Sequence, residues 1–169
     1  PAPLGRSKNP GGKRSDENFA IFVYRAANPG KPQGGTPVEL KLDRCTVRSF
    51  RAGDAESIAE HANNRGVWIN VRDRFPHPYT LKDAEAYLGR VMATRPETSF
   101  AIDVGGAAIG AIGIEPGEGE YHGSAEIGYW LGEAYWGRGI ATEVLRAMTE
   151  YAFSTFGFHR LEAIAFEWN

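Results

Sequence analysis

Residues 125–142, A-E-I-G-Y-W-L-G-E-A-Y-W-G-R-G-I-A-T, constrain the fold of this chain more than any other stretch. The aromatic-rich run from Ala125 to Leu131 reads as a strand. After a five-residue crossing, Gly137 and Gly139 open a segment in which Ile140, Val144, Leu145, Met148, Tyr151 and Ala152 recur at helical spacing, with Gly157 as a left-handed cap. The first N–H groups of a helix have no internal partner and sit at the positive end of its dipole. Glycines there remove the side chains that would keep a bulky anion from those donors. The stretch therefore predicts strand, crossing and helix, with a diphosphate-binding turn between them.

The flanking pattern extends this unit on both sides. Ser99–Val104 and Ala107–Ile114 read as strands joined at Gly105-Gly106, a two-residue hairpin signal, and a Gly/Glu loop follows through Gly123. Beyond the helix, Arg160–Trp168 reads as a strand, and the intervening helix makes it a parallel neighbour of Ala125–Leu131. Upstream, Cys45–Arg51 alternates as a strand, and after a turn at Gly53 Asp54 is placed to cap a helix running to about Asn63. Residues 64–79 read as irregular, because Pro76 and Pro78 forbid regular helix. Thr80 caps a second helix, with Asp83 at the capping-box position and Leu81, Ala84, Leu88 and Val91 along one stripe, ending before Pro96. The fold class is α/β, with a mixed, mainly antiparallel sheet flanked by helices.

Residues 1–37 carry six of the ten prolines and several glycines, a composition of turns rather than of a core, together with the bases Arg6, Lys8, Lys13 and Arg14. They are expected to form a flexible N-terminal extension and linker, although Phe19–Tyr24 has strand propensity and no evident place. The domain proper is expected over 38–169. A net charge of −2 and a pI of about 6.1 give no electrostatic case for nucleic acid. No apolar run approaches the ~18 residues that span a bilayer, and there is no signal-peptide pattern at the start, so no membrane partner is expected. The single Cys45 excludes an internal disulfide and fits a reducing, cytoplasmic setting. His61, His122 and His159 show no metal-ligand spacing, and no metal is expected. A monomer or homodimer is the expected state.

Two ligands compete for the glycine turn. G-R-G-I-A-T loosely matches a dinucleotide fingerprint, with Glu162 near the distance of a ribose-binding acid. That fingerprint follows its strand at once and opens a βαβ unit, whereas this one stands five residues past Leu131 and closes a meander. The turn with its context instead resembles the GNAT acyltransferases, in the branch of the ribosomal-protein N-acetyltransferases. Their signature, Gln/Arg-x-x-Gly-x-Gly/Ala at the start of a helix, falls on Trp136, Gly137, Arg138, Gly139, Ile140 and Ala141, with Trp136 departing from the usual Gln or Arg. E-I-G-Y-W-L, F-P-H-P-Y-T and the order of elements also match, and the resemblance covers about Leu40 to Asn169.

The resemblance implies acetyl transfer from acetyl-coenzyme A to a primary amine of a protein N-terminus, a lysine or a small molecule, by direct attack through a tetrahedral oxyanion. The pantetheine arm would lie between splayed strands Ala125–Leu131 and Arg160–Trp168, and the pyrophosphate over Arg138 to Thr142. Arg138 adds a positive charge or is a solvated surface arginine, and Asn169 is a cofactor contact or a turn residue. A backbone N–H near Trp130 or Leu131 would meet the oxyanion. Glu126, on the same strand face as Gly128 and Trp130, is either the general base or a structural carboxylate satisfied by backbone or a nearby arginine. His77 and Tyr79 either line the acceptor pocket or belong to a loop fixed for packing. Being neutral at pH 7 costs a lysine of pKa ~10.4 about 4.6 kcal/mol, and an α-amine of pKa ~8 about 1.4 kcal/mol. The family continues with a short helix and a hairpin carrying the general acid, so this chain is expected to be C-terminally incomplete, with that acid beyond Asn169. A non-catalytic acyl-coenzyme A binding module is the alternative from another class.

Overall fold

The computed structural model describes residues 37–73 and 75–166. Residues 1–36, Phe19–Tyr24 among them, and Trp168 and Asn169 lie outside the described residues.

Six strands form one sheet in sequence order: β1 (Glu39–Lys41), β2 (Thr46–Arg48), β3 (Ser99–Val104), β4 (Ala107–Pro116), β5 (Ser124–Leu131) and β6 (Arg160–Glu162). Every pairing is antiparallel except β5 with β6, which is parallel across the helix α4 (Ile140–Phe156). The meander and the parallel neighbour follow the sequence pattern. β1 adds a strand that the pattern did not show, being only three residues long.

The two faces are filled differently. On one, Val47, Phe100, Ile102, Ile112, Ile114, Ala125, Ile127 and Leu131 pack against Ile140, Val144, Met148, Ala152 and Phe153 of α4. Gly157, at φ 73°, ends that helix as a left-handed cap. On the other face the sheet presents Ala101, Ala108 and Ala111 to α1 (Ala55–Ala62) and α3 (Leu81–Ala93), through Ile58, Ala62, Ala84, Leu88 and Val91. Small side chains on the sheet let these helices lie close to it. Leu81 is an exception to its stripe: it is exposed at the first turn of α3. Thr80 and Asp83 form the reciprocal capping box that the sequence predicts.

Three expectations change. The helix expected from Asp54 begins instead with a 3-10 turn, Ala52–Asp54, and Asp54 makes no side-chain cap to α1. Residues 64–79 are not wholly irregular, since Asn64 caps a one-turn helix α2 (Arg65–Trp68) by accepting from the Val67 N–H. The strand expected over Arg160–Trp168 holds its ladder only to Glu162, with residues 163–166 outside any strand. Among the described residues Leu161 is its only buried side chain, so over 163–166 no alternating apolar set fixes the register further.

Asp54 leaves its cap because it has a stronger partner. Arg48, on β2, is buried and donates from Nη1 and Nη2 to both Asp54 oxygens at 2.8 Å, and from Nε to Asp103 Oδ2 at 2.7 Å. Asp54 also accepts from the Arg51 N–H, and Asp103 from the Gly106 N–H of the β3–β4 hairpin. Each buried charge is thus paired and hydrogen-bonded, which is the condition under which burial is tolerated. Burial by itself would raise the Asp54 carboxyl, but the Arg48 guanidinium and the Arg51 N–H outweigh it and hold the carboxyl below its ordinary value.

Breaking one partner of such a pair costs about 3–5 kcal/mol, and Asp54→Asn is expected near ~3 kcal/mol because Asp103 still faces Arg48. A carboxyl depressed in the folded state stabilises above its unfolded value near pH ~3.9 and loses that contribution as pH falls through the folded value. Urea unfolding should therefore show a gap between wild type and Asp54→Asn that is constant from neutral pH down to about pH 5 and narrows below about pH 4.

Candidate functional site

β5 is the strand from which the site is built. In an antiparallel ladder alternate residues exchange both backbone bonds with their partner. The Gly117 N–H donates to Ser124 O and the Gly132 N–H to Ile109 O, so the register assigns Ser124, Glu126, Gly128 and Trp130 to β4. The intervening residues turn their N–H and C=O the other way, towards β6. There the ladder stops at Glu126↔Glu162, while β5 continues to Leu131. Among the described residues, no strand pairs with Tyr129 or Leu131 on that side. This corrects one expectation: the Trp130 N–H is committed to β4, and Leu131 carries the N–H that faces the open edge. The Trp130 indole lies edge-on to Phe75.

The crossing after β5 is braced. A 3-10 turn, Glu133–Tyr135, spans most of it. Glu133 Oε2 accepts from Asn64 Nδ2 at 2.7 Å, and the Tyr135 ring meets His61 of α1 edge-on at 5.5 Å. Trp136, which replaces the signature polar residue, donates from Nε1 to Leu131 O at 2.7 Å and so closes the last open carbonyl of the strand.

Gly137 and Gly139 have φ of 71° and 76°, a region that L side chains avoid. The first intrahelical bond of α4 runs from the Glu143 N–H to Gly139 O, and Gly139 gives no side-chain cap. The N–H groups of Ile140, Ala141 and Thr142 precede it and are the unpaired donors of the helix mouth. Two cations flank them. Arg138 lies over the Tyr135 ring, 5.3 Å from its centroid. Arg44, from the β1–β2 turn, lies beside Gly139, with its guanidinium 3.8 Å from Glu143. Glu143 accepts from the backbone N–H groups of Asp43 and Arg44, which docks that turn onto α4. Sequence reasoning did not find Arg44, since a basic residue in a turn far from the helix carries no signal of where it will land.

On the opposite face of β5, Glu126 is held by Arg72, whose Nη2 lies 2.5 and 2.6 Å from the two carboxylate oxygens. Arg72 also stands 3.9 Å from Glu115, the cross-strand neighbour of Glu126, and offsets the repulsion of two facing carboxylates. Of the two readings of Glu126, the arginine partner is thus present, in a loop that carries no local marker of it. Phe75 packs edge-on to Trp130 at 5.8 Å and against Tyr79 at 4.8 Å. Tyr79 is buried in the core, and burial, with the Asp83 charge adding to it, pushes its phenol up to about 12. His77 is exposed and stacks on Trp68 at 5.2 Å. Cys45 is buried, and that burial followed by the charges of Glu143 and Asp103 raises its thiol to about 11, leaving it protonated at neutral pH. Among the described residues, no three His, Cys, Asp or Glu side chains gather closely enough to hold a metal ion, and no helix is long and apolar enough to cross a membrane.

Comparisons with known proteins agree with this geometry. Residues 44–169 match the family model described as acetyltransferase (GNAT) domain. YoaA of Bacillus subtilis, called an uncharacterized N-acetyltransferase, is 38% identical over 138 residues, which is 75% of this chain and 73% of that protein. The uncharacterized N-acetyltransferase p20 of Bacillus licheniformis is 27% identical over 73% of this chain and 71% of its own. Among solved structures, the ribosomal-protein-S5-alanine acetyltransferase of Vibrio fischeri superposes with a TM-score of 0.64 at 20% identity, covering 75% of this chain and 73% of its own. RimJ of Mycobacterium smegmatis, in complex with CoA-disulfide, gives 0.62 at 23% identity, covering 75% and 66%. At these identities the solved structures establish the fold.

The positive φ of Gly137 sets a direct test of the turn. No atom lies within 4 Å of where a Cβ would be built, so Gly137→Ala meets backbone strain alone and should cost about 1 kcal/mol in thermal or urea unfolding. Gly137→Asn, which tolerates the left-handed region, should recover a good part of that loss.

Proposed function

This chain belongs to the GNAT acetyltransferase family, and from that premise we propose that it moves the acetyl group of acetyl-coenzyme A to a primary amine by direct attack. The observation that carries the reading is the continuity between the open edge at Tyr129 and Leu131 and the bare mouth of α4, joined by the braced crossing.

The residues present fit such a donor. The N–H groups of Ile140, Ala141 and Thr142, reached across Gly137 and Gly139, suit a diphosphate, with Arg138 and Arg44 adding charge beside them. The Tyr129 and Leu131 backbone suits the amide-bearing arm. Bound there, acetyl-coenzyme A supplies an activated thioester. The Leu131 N–H is the donor aligned for charge developing on a carbonyl oxygen at the edge. Asn169, proposed as a further contact to the donor, completes the set that the family pattern assigns. On the acceptor side, the Glu126 carboxylate is the group on β5 that can accept a proton from the incoming amine, directly or through water, and Arg72 fixes its position. His77 and Tyr79 are proposed to border the acceptor, His77 from its exposed stack on Trp68 and Tyr79 through Phe75. An α-amine, which costs less to deprotonate than a lysine, asks least of this arrangement. The acetyltransferase domain is proposed to span residues 38–169, following 1–37 as an extension, and to work in the cytoplasm.

The test is thiol release from acetyl-coenzyme A in the presence of peptides with free α-amines, peptides with an internal lysine, and spermidine. Turnover with an amine is expected, whereas coenzyme A binding with no turnover on any of them would contradict the proposal. Gly139→Glu puts an anion at the phosphate donors and should abolish coenzyme A binding by calorimetry. Gly139→Asn accepts the same backbone without the charge and should keep most of the affinity, and unchanged binding by the Glu variant would sink the site.

A further inference from the structure

Gly128 has no role in the fold that its surroundings explain. A glycine inside a strand weakens it and otherwise marks a bulge, a tight bend or a place where something approaches the backbone closely. The β4–β5 register runs unbroken from Gly110↔Leu131 to Pro116↔Ala125, so there is no bulge at Gly128. Its φ lies outside the left-handed region, and nothing stands within 4 Å of where its Cβ would be. The chain therefore keeps an exposed, uncrowded glycine in the middle of β5, where a Cβ would be accommodated.

What surrounds that opening is specific. Glu126 and Trp130 are its neighbours two residues away on the same face of β5. Glu126 is fixed by Arg72, which also reaches Glu115, and these form one wall. Trp130 with Phe75 forms the other. Across the strand pair, the residue facing Gly128 is Gly113, so the gap between the walls is not closed from β4 either. Gly128 immediately precedes Tyr129, the residue whose backbone faces the open edge. On the other face, Ile127 and Leu131 are packed into the α4 core. An amine must come to about 3 Å of the carbonyl carbon it attacks. With that carbonyl at the edge of β5, the free path from the carboxylate-bearing face runs over Gly128.

We infer that Gly128 is a specificity-determining residue of the acceptor site, admitting the stem of the amine substrate between the Arg72–Glu126 pair and the Trp130–Phe75 wall. This rests on the acetyltransferase reading above and deepens it: the acceptor is a primary amine on a slender stem, and the width of the passage is set by the missing side chain at position 128.

The experiment compares wild type with Gly128→Ala and Gly128→Val, using the amine from the panel above that wild type turns over best. The kcat/KM for that amine is expected to fall in steps, several-fold for Ala and on the order of 100-fold for Val, with the KM for acetyl-CoA unchanged. Thermal unfolding should show both variants as stable as wild type or more so, since Ala and Val suit a strand better than Gly. Undiminished amine turnover in Gly128→Val overturns the inference while leaving the function standing. A fall in melting temperature that tracks activity in both variants overturns it in favour of a role in folding. A loss confined to the KM for acetyl-CoA overturns it by placing Gly128 on the donor side. Absence of turnover in wild type itself overturns the functional reading, and this inference with it.

Discussion

Each strand residue offers its N–H and C=O to one neighbouring strand, and successive residues alternate between the two neighbours. That constraint governs β5. Its bonds to β4 are complete along its length, so the groups that remain are those of alternate residues facing β6. When β6 ends its ladder at Glu162, the backbone of Tyr129 and Leu131 is left facing a gap among the described residues. Buried or half-buried backbone groups need partners. Trp136 meets part of the need by donating to Leu131 O, and the rest is available to a ligand that carries its own amides.

The same strand divides the site in two. One face of the sheet carries large branched residues against α4, and the other carries alanines against α1 and α3. The helix mouth and its flanking arginines belong with the edge, whereas Glu126, Gly128 and Trp130 present their face to the α1–α3 side. Two structural networks hold this frame. Arg48 with Asp54 and Asp103 ties β2, the entry to α1 and the β3–β4 hairpin into one unit. The contacts of His61 with Tyr135 and of Asn64 with Glu133 fix the crossing that delivers the glycines. The crossing that delivers the glycines is therefore positioned by α1 and its C-terminal turn.

Where local chemistry decides structure, the chain was readable. The Thr80–Asp83 capping box, the Gly105-Gly106 hairpin, the left-handed glycines around α4 and the parallel place of β6 all follow from short-range rules. Where pairing is long-range, it was not. Nothing local marks Arg48 as buried until Asp103, more than fifty positions on, is brought beside it, and Asp54 reads as a cap for the same reason. Arg72 sits in a loop whose sequence announces proline turns and gives no sign of Glu126. The length of β6 was overestimated because its strand propensity continues past Glu162, where its ladder with β5 ends although β5 runs on. Within the candidate site, the glycine turn was legible and its second cation, Arg44, was not.

The edge of β5 and the mouth of α4 are proposed to form one continuous binding surface for coenzyme A. Residue-resolved amide hydrogen exchange, with and without coenzyme A, tests it most directly. The N–H groups of Tyr129, Leu131, Ile140, Ala141 and Thr142 should exchange readily in the free protein and become protected together on binding. Those of Glu126, Gly128 and Trp130, already bonded to β4, should stay protected throughout. Protection confined to α4, or appearing at neither place while coenzyme A binds, would contradict it.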